Sequence, residues 1–205
     1  MSDRTEPANE AVGVGDYLIV GLGNPGRHYR GNRHNAGYML IDRLLEAYGT
    51  SLNRSLAEAL VAVIKDGDHT LVLAKPQTYV NESGRTVASL LRAFGLELPS
   101  VLVAFDELDL QLGTLRMRPA GGSSGHRGMR SIINHLGSQE FPRLRIGIGR
   151  PPGRRPAADH VLTNFGKGER SILAGVLERA VSCVQQYLEY DIQIAMTACN
   201  RPEES

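Results

Sequence analysis

Apolar runs of strand length alternate with amphipathic stretches of helical length along this chain of 205 residues. The run YLIVGL, from Tyr17, is almost continuously apolar, as expected for a strand buried on both faces of a sheet. The run SVLVAFDELDL, from Ser100, begins with a similar apolar stretch and ends in acidic residues. Apolar residues recur with helical spacing over 35–49, 83–95 and 168–188. Strands that alternate with helices predict a single layered α/β domain.

The composition is that of an ordinary globular protein, with 41% hydrophobic and 22% charged residues. No apolar run reaches the ~18 residues that a membrane-spanning helix needs, and residues 1–16 lack the basic start and apolar core of a secretory signal. We therefore expect a flexible tail over 1–16, one domain over 17–205, and a cytoplasmic protein. Cys183 and Cys199 are widely separated, which predicts reduced structural thiols rather than a disulfide framework or a zinc site.

The stretch GLGNPG follows the first predicted strand and has the G-x-G-x-x-G pattern of a dinucleotide-binding turn. Such a turn holds pyrophosphate only where a helix begins directly after it, but Pro25 and the polar loop RHYRGNRHN delay the helix to the region of Asn35. The acidic residue expected at the end of the next strand is also missing, because Asp42 falls within the predicted helix. The pattern instead favours a strand that delivers Asn24 to the carboxyl edge of the sheet, where ligands bind in open α/β folds.

Three further polar residues are predicted at the ends of strands or turns: His34 in RHNAG, Asn81 in QTYVNESG and Asp106 in AFDELDL. Each has a simpler interpretation, because His34 and Asn81 could cap the helices that follow them and Asp106 could cap a turn. Their joint occurrence at the ends of strands that we expect to be neighbours favours a shared polar site.

The basic residues are concentrated in one part of the chain. Between Gln111 and Ala158 the sequence has nine arginines and one acidic residue, Glu140. Such an excess is typical of a phosphate-binding face, although a solvated basic surface would have the same composition. The arginines are Arg116, Arg118, Arg127, Arg130, Arg143, Arg145, Arg150, Arg154 and Arg155.

Five segments together resemble, in order and spacing, the signature segments of bacterial-type peptidyl-tRNA hydrolases: GLGNPGRHYRGNRHNAG, KPQTYVNESG, FDELDL, GGSSGHRG and RLRIGIGRP. The resemblance covers almost the whole chain after residues 1–16. It implies a single-domain three-layer α/β sandwich around a mixed twisted sheet. It also implies hydrolysis, without a metal or a cofactor, of the ester that joins a peptide to the 3′ ribose of tRNA. Peptidyl-tRNA is then the expected partner, and the small chain favours a monomer.

The resemblance assigns roles to individual residues. His34 matches the family's general base, Asp106 the acid that orients it, and Asn24 the asparagine that checks for a blocked amino end. A neutral imidazole suits the activation of water near pH 7, and a carboxylate on its other nitrogen fixes the tautomer and stabilises the imidazolium. The positions that contact peptide and tRNA match Tyr29, Tyr79, Asn81 and Arg127.

The chain departs from the family pattern at Arg127, because the family usually has GHNG where this chain has GHRG. Arginine can bind a phosphate or a carbonyl but cannot accept a hydrogen bond. We therefore expect a tRNA contact to be kept and any acceptor role to be lost. Val80 stands where the family commonly has methionine, which changes the shape of the pocket. Arg127 also leaves a second function open, that of a non-catalytic RNA-binding member of the same fold.

Other polar residues near these motifs have two interpretations. His126 is either a structural histidine at the start of a helix or a residue that contacts the substrate. Arg145 and Arg150 are the strongest further candidates for tRNA contacts, although one of the alternating pair Arg143 and Arg145 could be buried and structural. The segment GGSSG lacks the G-x-S-x-G pattern of a nucleophile elbow, which favours direct attack by water.

Overall fold

The computed structural model describes residues 17–154 and 156–201, and the predicted tail over 1–16 lies outside these residues. The strands are β1 (Tyr17–Gly21), β2 (Arg54–Leu56), β3 (Ala59–Asp66), β4 (His69–Pro76), β5 (Val101–Glu107), β6 (Leu115–Arg118) and β7 (Arg143–Gly147). The α-helices are α1 (Ala36–Ala47), α2 (Ser83–Phe94), α3 (Arg127–Leu136), α4 (Ala157–Val161), α5 (Lys167–Glu189) and α6 (Ile192–Cys199).

The strands form one mixed sheet in the order β2-β3-β4-β1-β5-β7-β6. The neighbouring strands β4, β1, β5 and β7 are parallel, whereas β2, β3 and β6 pair in the antiparallel sense. Because four adjacent strands run in the same direction, their carboxyl ends meet at one edge of the sheet. The predicted mixed sheet is confirmed.

Helices cover both faces of the sheet and give it two hydrophobic cores. Successive side chains of a strand point to opposite faces, so Ile19 of β1 enters the core formed with α1, α5 and α6, whereas Leu18 and Val20 enter the core formed with α2 and α3. All three side chains are fully buried. The three-layer arrangement predicted from the family resemblance is confirmed.

The first helix packs unusually closely on the ends of the central strands. A Cβ atom at Gly37 of α1 would overlap the Ala104 carbonyl and the Leu22 backbone, and a Cβ at Gly21 of β1 would overlap the Gly37 carbonyl. The Leu22 carbonyl accepts a 3.2 Å hydrogen bond from the Tyr38 N–H. The glycines therefore allow the segment just before α1, which contains His34, to lie directly over the ends of β1 and β5.

The two cysteines differ from the sequence expectation. Cys183 of α5 and Cys199 of α6 form a disulfide, with their Cα atoms 5.4 Å apart. The prediction of reduced thiols is therefore wrong. The helix α6 was absent from the predicted elements, and it is the packing of this helix on α5 that brings together two residues 16 positions apart.

Within the described part of the chain, no helix is both long and apolar enough to cross a membrane.

Candidate active site

A cavity of about 510 Å³ opens at the carboxyl edge of the parallel strands. The end of β1 leads to Asn24, the end of β4 leads to Tyr79 and Asn81, and Asp106 lies at the end of β5. The structure brings all seven predicted site residues to this cavity: Asn24, Tyr29, His34, Tyr79, Asn81, Asp106 and Arg127.

The centre of the site is a carboxylate shared by two histidines. Oδ1 of Asp106 lies 2.8 Å from Nδ1 of His34 and 2.9 Å from Nε2 of His126. The side chain of Asp106 is 2% exposed and that of His34 is 12% exposed, so the histidine is the more accessible of the two at the cavity. Asp106 is therefore a buried partner of two imidazoles and does not cap a turn.

The position of His126 determines which of its ring nitrogens carries the hydrogen atom. His126 is the N-cap residue of α3, where Nδ1 accepts a 3.2 Å hydrogen bond from the Met129 N–H. With Nδ1 acting as an acceptor, Nε2 carries the hydrogen that is donated to Asp106. The sequence left the role of His126 open, and the structure gives it both a capping contact and a contact with the acid.

The ionisation of the pair follows from burial and charge together. Burial lowers the pKa of His34, but the charge of Asp106 and its hydrogen bond raise it more, and the resulting pKa lies above the usual 6.5. The positive charge of Arg127 offsets part of this rise in the pKa of His34. Burial raises the pKa of Asp106, whereas the two imidazoles lower it, and the net pKa lies well below the usual range. Asp106 is therefore a carboxylate at neutral pH.

Asn24 is held by two neighbouring segments. Its Oδ1 accepts a 3.0 Å hydrogen bond from the Val80 N–H, and its backbone N–H donates to Oδ1 of Asn35 at 2.9 Å. Asn35 returns a hydrogen bond from Nδ2 to the Asn24 carbonyl at 3.0 Å. Because Oδ1 of Asn24 is already engaged, the Nδ2 amide is the group that Asn24 can offer to a ligand as a donor.

The open rim of the cavity carries the residues predicted to contact peptide and tRNA. Tyr79 is 59% exposed, and Asn81 lies in the 3₁₀ turn Val80–Glu82 rather than at the N-cap of α2, which is Glu82. Asn81 and Arg127 also line an adjoining polar cleft of about 380 Å³. The rim thus continues from the buried acid and histidines to an open, partly cationic surface.

The arginines of the basic region differ in their surroundings. Arg143 is 2% exposed and donates to the carbonyls of Gly121, Gln139 and Phe141, which confirms one buried structural arginine. Arg145 pairs with the buried Glu107 at 2.7 Å, and Arg150 pairs with Asp109 at 2.5 Å. Acids of the DELDL segment therefore balance the charge of the two arginines that the sequence favoured for tRNA contacts.

Two parts of the cavity were not predicted. The short helix α4 and the residue after it form an apolar wall of the cavity: Ala157, Ala158, Val161 and Leu162. Ser124 also lines the cavity, and its hydroxyl lies 3.2 Å from the guanidinium of Arg145. No pattern in the sequence marks α4, because five residues are too few to show helical periodicity.

Within the described part of the chain, His34, Asp106 and His126 are also the group of side chains whose spacing would suit a metal ion. The donor atoms of His34, Asp106 and His126 lie within 4.8 Å of one another. The nitrogens that face Asp106 carry hydrogens that it accepts, so a metal would have to replace both of these hydrogen bonds. The donor set fits a hydrogen-bonded base and acid better than a metal centre, and the absence of a metal requirement stays a prediction.

Comparison with known proteins agrees with the motifs. A family model described as peptidyl-tRNA hydrolase matches residues 18–205. Peptidyl-tRNA hydrolase of Aquifex aeolicus (strain VF5) is 44% identical over 188 residues, which cover 91% of this chain and 97% of the relative. The enzyme of the same name from Desulforudis audaxviator (strain MP104C) is 52% identical over 163 residues, which cover 80% of this chain and 82% of the relative.

A solved structure agrees as well. The crystal structure of peptidyl-tRNA hydrolase from Acinetobacter baumannii superposes with a TM-score of 0.86 at 34% identity, covering 92% of this chain and 96% of that chain. The sequence match, the shared fold and the motif residues gathered at one cavity lead to the same conclusion: the chain belongs to the peptidyl-tRNA hydrolase family.

Proposed function

We propose that this chain hydrolyses the ester bond of peptidyl-tRNA, releasing free tRNA, and that His34 activates the attacking water. The observation that carries the proposal is the 2.8 Å contact between Nδ1 of His34 and Oδ1 of Asp106 at the floor of a cavity at the carboxyl edge of the sheet. A histidine held in this way has a fixed tautomer, because Nδ1 donates to the carboxylate and Nε2 remains an acceptor.

In the proposed reaction Nε2 of His34 takes a proton from water while the water oxygen attacks the ester carbonyl carbon. The attack gives a tetrahedral oxyanion and an imidazolium, whose charge the buried Asp106 carboxylate stabilises. Collapse of the oxyanion breaks the bond to the 3′ oxygen of the ribose, and the imidazolium returns its proton to that oxygen. The products are free tRNA and a peptide carboxylic acid. The acid then ionises to the carboxylate and releases one proton to the solvent.

The other cavity residues are proposed to bind the two parts of the substrate. Asn24, with Oδ1 held by Val80, donates its amide hydrogens to a carbonyl of the blocked amino acid or to the developing oxyanion. Tyr29, Tyr79 and Asn81 contact the peptide and the end of the tRNA, since they form the open rim of the cavity. Arg127 contributes a cation to the same rim, which suits a phosphate of the tRNA.

A second candidate is a protein of this fold that binds RNA without cleaving it. Arg127 is the feature that favours it, because arginine cannot take over an acceptor role of the family's asparagine. The intact set of His34, Asp106, Asn24 and Asn81 favours the enzyme. A cytoplasmic location, a monomeric state and independence from cofactors remain predictions that accompany either candidate.

The test is the release of tRNA from N-acetyl-aminoacyl-tRNA by the purified protein. We expect His34→Ala to lower the rate by roughly 10²–10⁴-fold, the usual contribution of a general base, while the circular dichroism spectrum and tRNA binding stay unchanged. His69→Ala is the matched control, because His69 contacts Tyr17, where β1 begins at the opposite edge of the sheet. Unimpaired turnover by His34→Ala would exclude His34 as the base, and binding without turnover by the wild-type protein would favour the second candidate.

A further inference from the structure

The residue just before the proposed base is a buried arginine that takes no part in the reaction described above. Arg33 is 7% exposed and lies in the same 3₁₀ turn as His34, Arg33–Asn35. Burying a guanidinium is unfavourable unless its donors are satisfied by hydrogen bonds or a counter-charge. The contacts of Arg33 therefore show what this residue holds in place.

Its guanidinium binds one short segment of the chain that lies far away in the sequence. Nη1 of Arg33 donates to the Thr163 hydroxyl at 2.8 Å and to the Asn164 carbonyl at 2.6 Å. Nη2 donates to both carboxylate oxygens of Glu169, at 2.7 and 2.6 Å. The planar group also lies over the ring of Phe165, 5.1 Å from its centre. Arginine's rigid fork of donors is suited to several acceptors at once.

The contacts continue from Thr163 into the apolar wall of the cavity. The Thr163 hydroxyl, which accepts from Arg33, donates to the His160 carbonyl at 2.7 Å, and the Thr163 N–H donates to the same carbonyl at 3.0 Å. His160 belongs to α4 and is buried, and its Nε2 lies 3.2 Å from the Gly149 carbonyl. The end of α4 is thus joined through one hydroxyl group to the residue next to His34.

The backbone reinforces this junction. The Arg33 N–H donates to the Thr163 carbonyl at 3.0 Å, and Asn32 forms an isolated β-bridge with Asn164. A helix of five residues such as α4 has too few internal hydrogen bonds to be stable on its own. Its position therefore depends on contacts of this kind with the rest of the fold.

We propose that Arg33 is a positioning residue, which fixes the α4 wall of the cavity at a set distance from His34. Arg33 then holds both the base and the α4 wall, and the substrate binds between them. A part of the substrate that packs on α4 therefore places the ester next to Nε2 of His34. This inference rests on the proposed function. It assigns Arg33 and Thr163 to substrate binding, whereas a residue that serves only the stability of the fold would leave binding unchanged.

The test compares two substitutions of Thr163, which does not line the cavity. Thr163→Val keeps the shape of the side chain and removes the hydroxyl that joins Arg33 to His160, whereas Thr163→Ser keeps the hydroxyl. We expect KM for N-acetyl-aminoacyl-tRNA to rise about three- to tenfold in Thr163→Val and Arg33→Lys with kcat within about twofold of wild type, the pattern of lost binding rather than lost chemistry. Thr163→Ser should restore KM.

Tyr187→Phe controls for stability alone. It removes the hydrogen bond from the Tyr187 hydroxyl to the Pro99 carbonyl, 2.6 Å long, just before β5 begins and so at the opposite edge of the sheet. An unchanged KM in Thr163→Val, the same KM in the valine and serine variants, or an equal rise in Tyr187→Phe would overturn the proposal. A loss confined to kcat would also overturn it, and if Arg33→Lys does not fold, the Thr163 pair decides.

The Thr163 comparison and the test of the proposed function can fail independently of each other. Turnover by the wild-type protein and its loss in His34→Ala test the reaction, whereas the Thr163 pair is compared with the wild type. If the wild-type protein binds N-acetyl-aminoacyl-tRNA without cleaving it, the same comparison is made with the dissociation constant. The valine variant should then bind about three- to tenfold more weakly, and equal affinity of the two variants would overturn the role of the anchor.

Discussion

At the scale of single residues, the site depends on one carboxylate oxygen that serves two imidazoles. Oδ1 of Asp106 accepts from both His34 and His126, and these contacts keep the pKa of Asp106 well below its usual range although burial raises it. His126 is itself fixed by the Met129 N–H at the start of α3. The orientation of His34 is therefore set by a chain of contacts that ends in the backbone of a helix.

Arg127 allows a test of the charge next to His34. Its positive charge lowers the pKa of His34, so Arg127→Asn should raise that pKa further above 6.5. Because the base must be neutral, the acid limb of the kcat/KM profile should move to higher pH. The same variant should reduce the slope of log affinity for tRNA against log salt by about 0.7–0.9, the effect of one lost phosphate contact.

The measurements are a pH–rate profile with N-acetyl-aminoacyl-tRNA and a salt titration of tRNA binding. Arg92→Gln serves as a control, since Arg92 is an exposed residue near the end of α2. An acid limb that moves to lower pH in Arg127→Asn would show that the arginine does not act on His34 through its charge. An unchanged salt slope would remove it from the tRNA contacts.

At the scale of elements, the long helices and the buried strands could be predicted from the sequence because their apolar periodicity is strong. The strands β1 and β5 and the helix α2, which ends at the left-handed Gly95, agree with the predicted segments. The short elements β2, α4 and α6 could not be predicted, because three to eight residues carry little periodicity and their positions depend on tertiary contacts. The disulfide was missed for the same reason.

The disulfide between α5 and α6 predicts a measurable contribution to stability. Cross-linking residues 16 positions apart lowers the entropy of the unfolded chain, which corresponds to about 3 kcal/mol for a loop of this length. We expect Cys199→Ser, or reduction of the wild-type protein, to lower the free energy of unfolding in urea by about 2–3 kcal/mol. Neither cysteine lines the cavity, so kcat/KM should not change.

The control is Cys199→Ser with and without reductant. Its stability should be independent of reductant, whereas that of the wild-type protein should fall to the same level when reduced. Two titratable thiols in the unreduced, denatured wild-type protein would contradict the disulfide.

At the scale of the whole molecule, the topology converts residues scattered over the sequence into one site. Asn24 and Asn81 follow two parallel strands, and Asp106 lies at the end of a third. The sequence could predict their meeting because such strands end at the same edge of a sheet. The pairing of Arg145 with Glu107 could not be predicted, because it depends on the register of β5 beside β7. Charge counts along the sequence therefore overstated how many arginines are free for tRNA.

Neutral His34, oriented by Asp106, is the proposed base of the reaction. The most direct measurement follows single-turnover cleavage of N-acetyl-aminoacyl-tRNA from pH 5 to pH 9, together with the NMR titration of the His34 ring. Because the Asp106 charge raises the pKa of His34, the apparent pKa of the acid limb should lie above 6.5. It should equal the pKa that NMR gives for the His34 ring, and the rate should fall at pH values below it. In Asp106→Ala the rate should be lower at its maximum and the acid limb should move to lower pH. A rate that does not change as His34 titrates would show that neutral His34 is not the base. An acid limb at the same pH in Asp106→Ala and wild type would show that Asp106 does not act on His34.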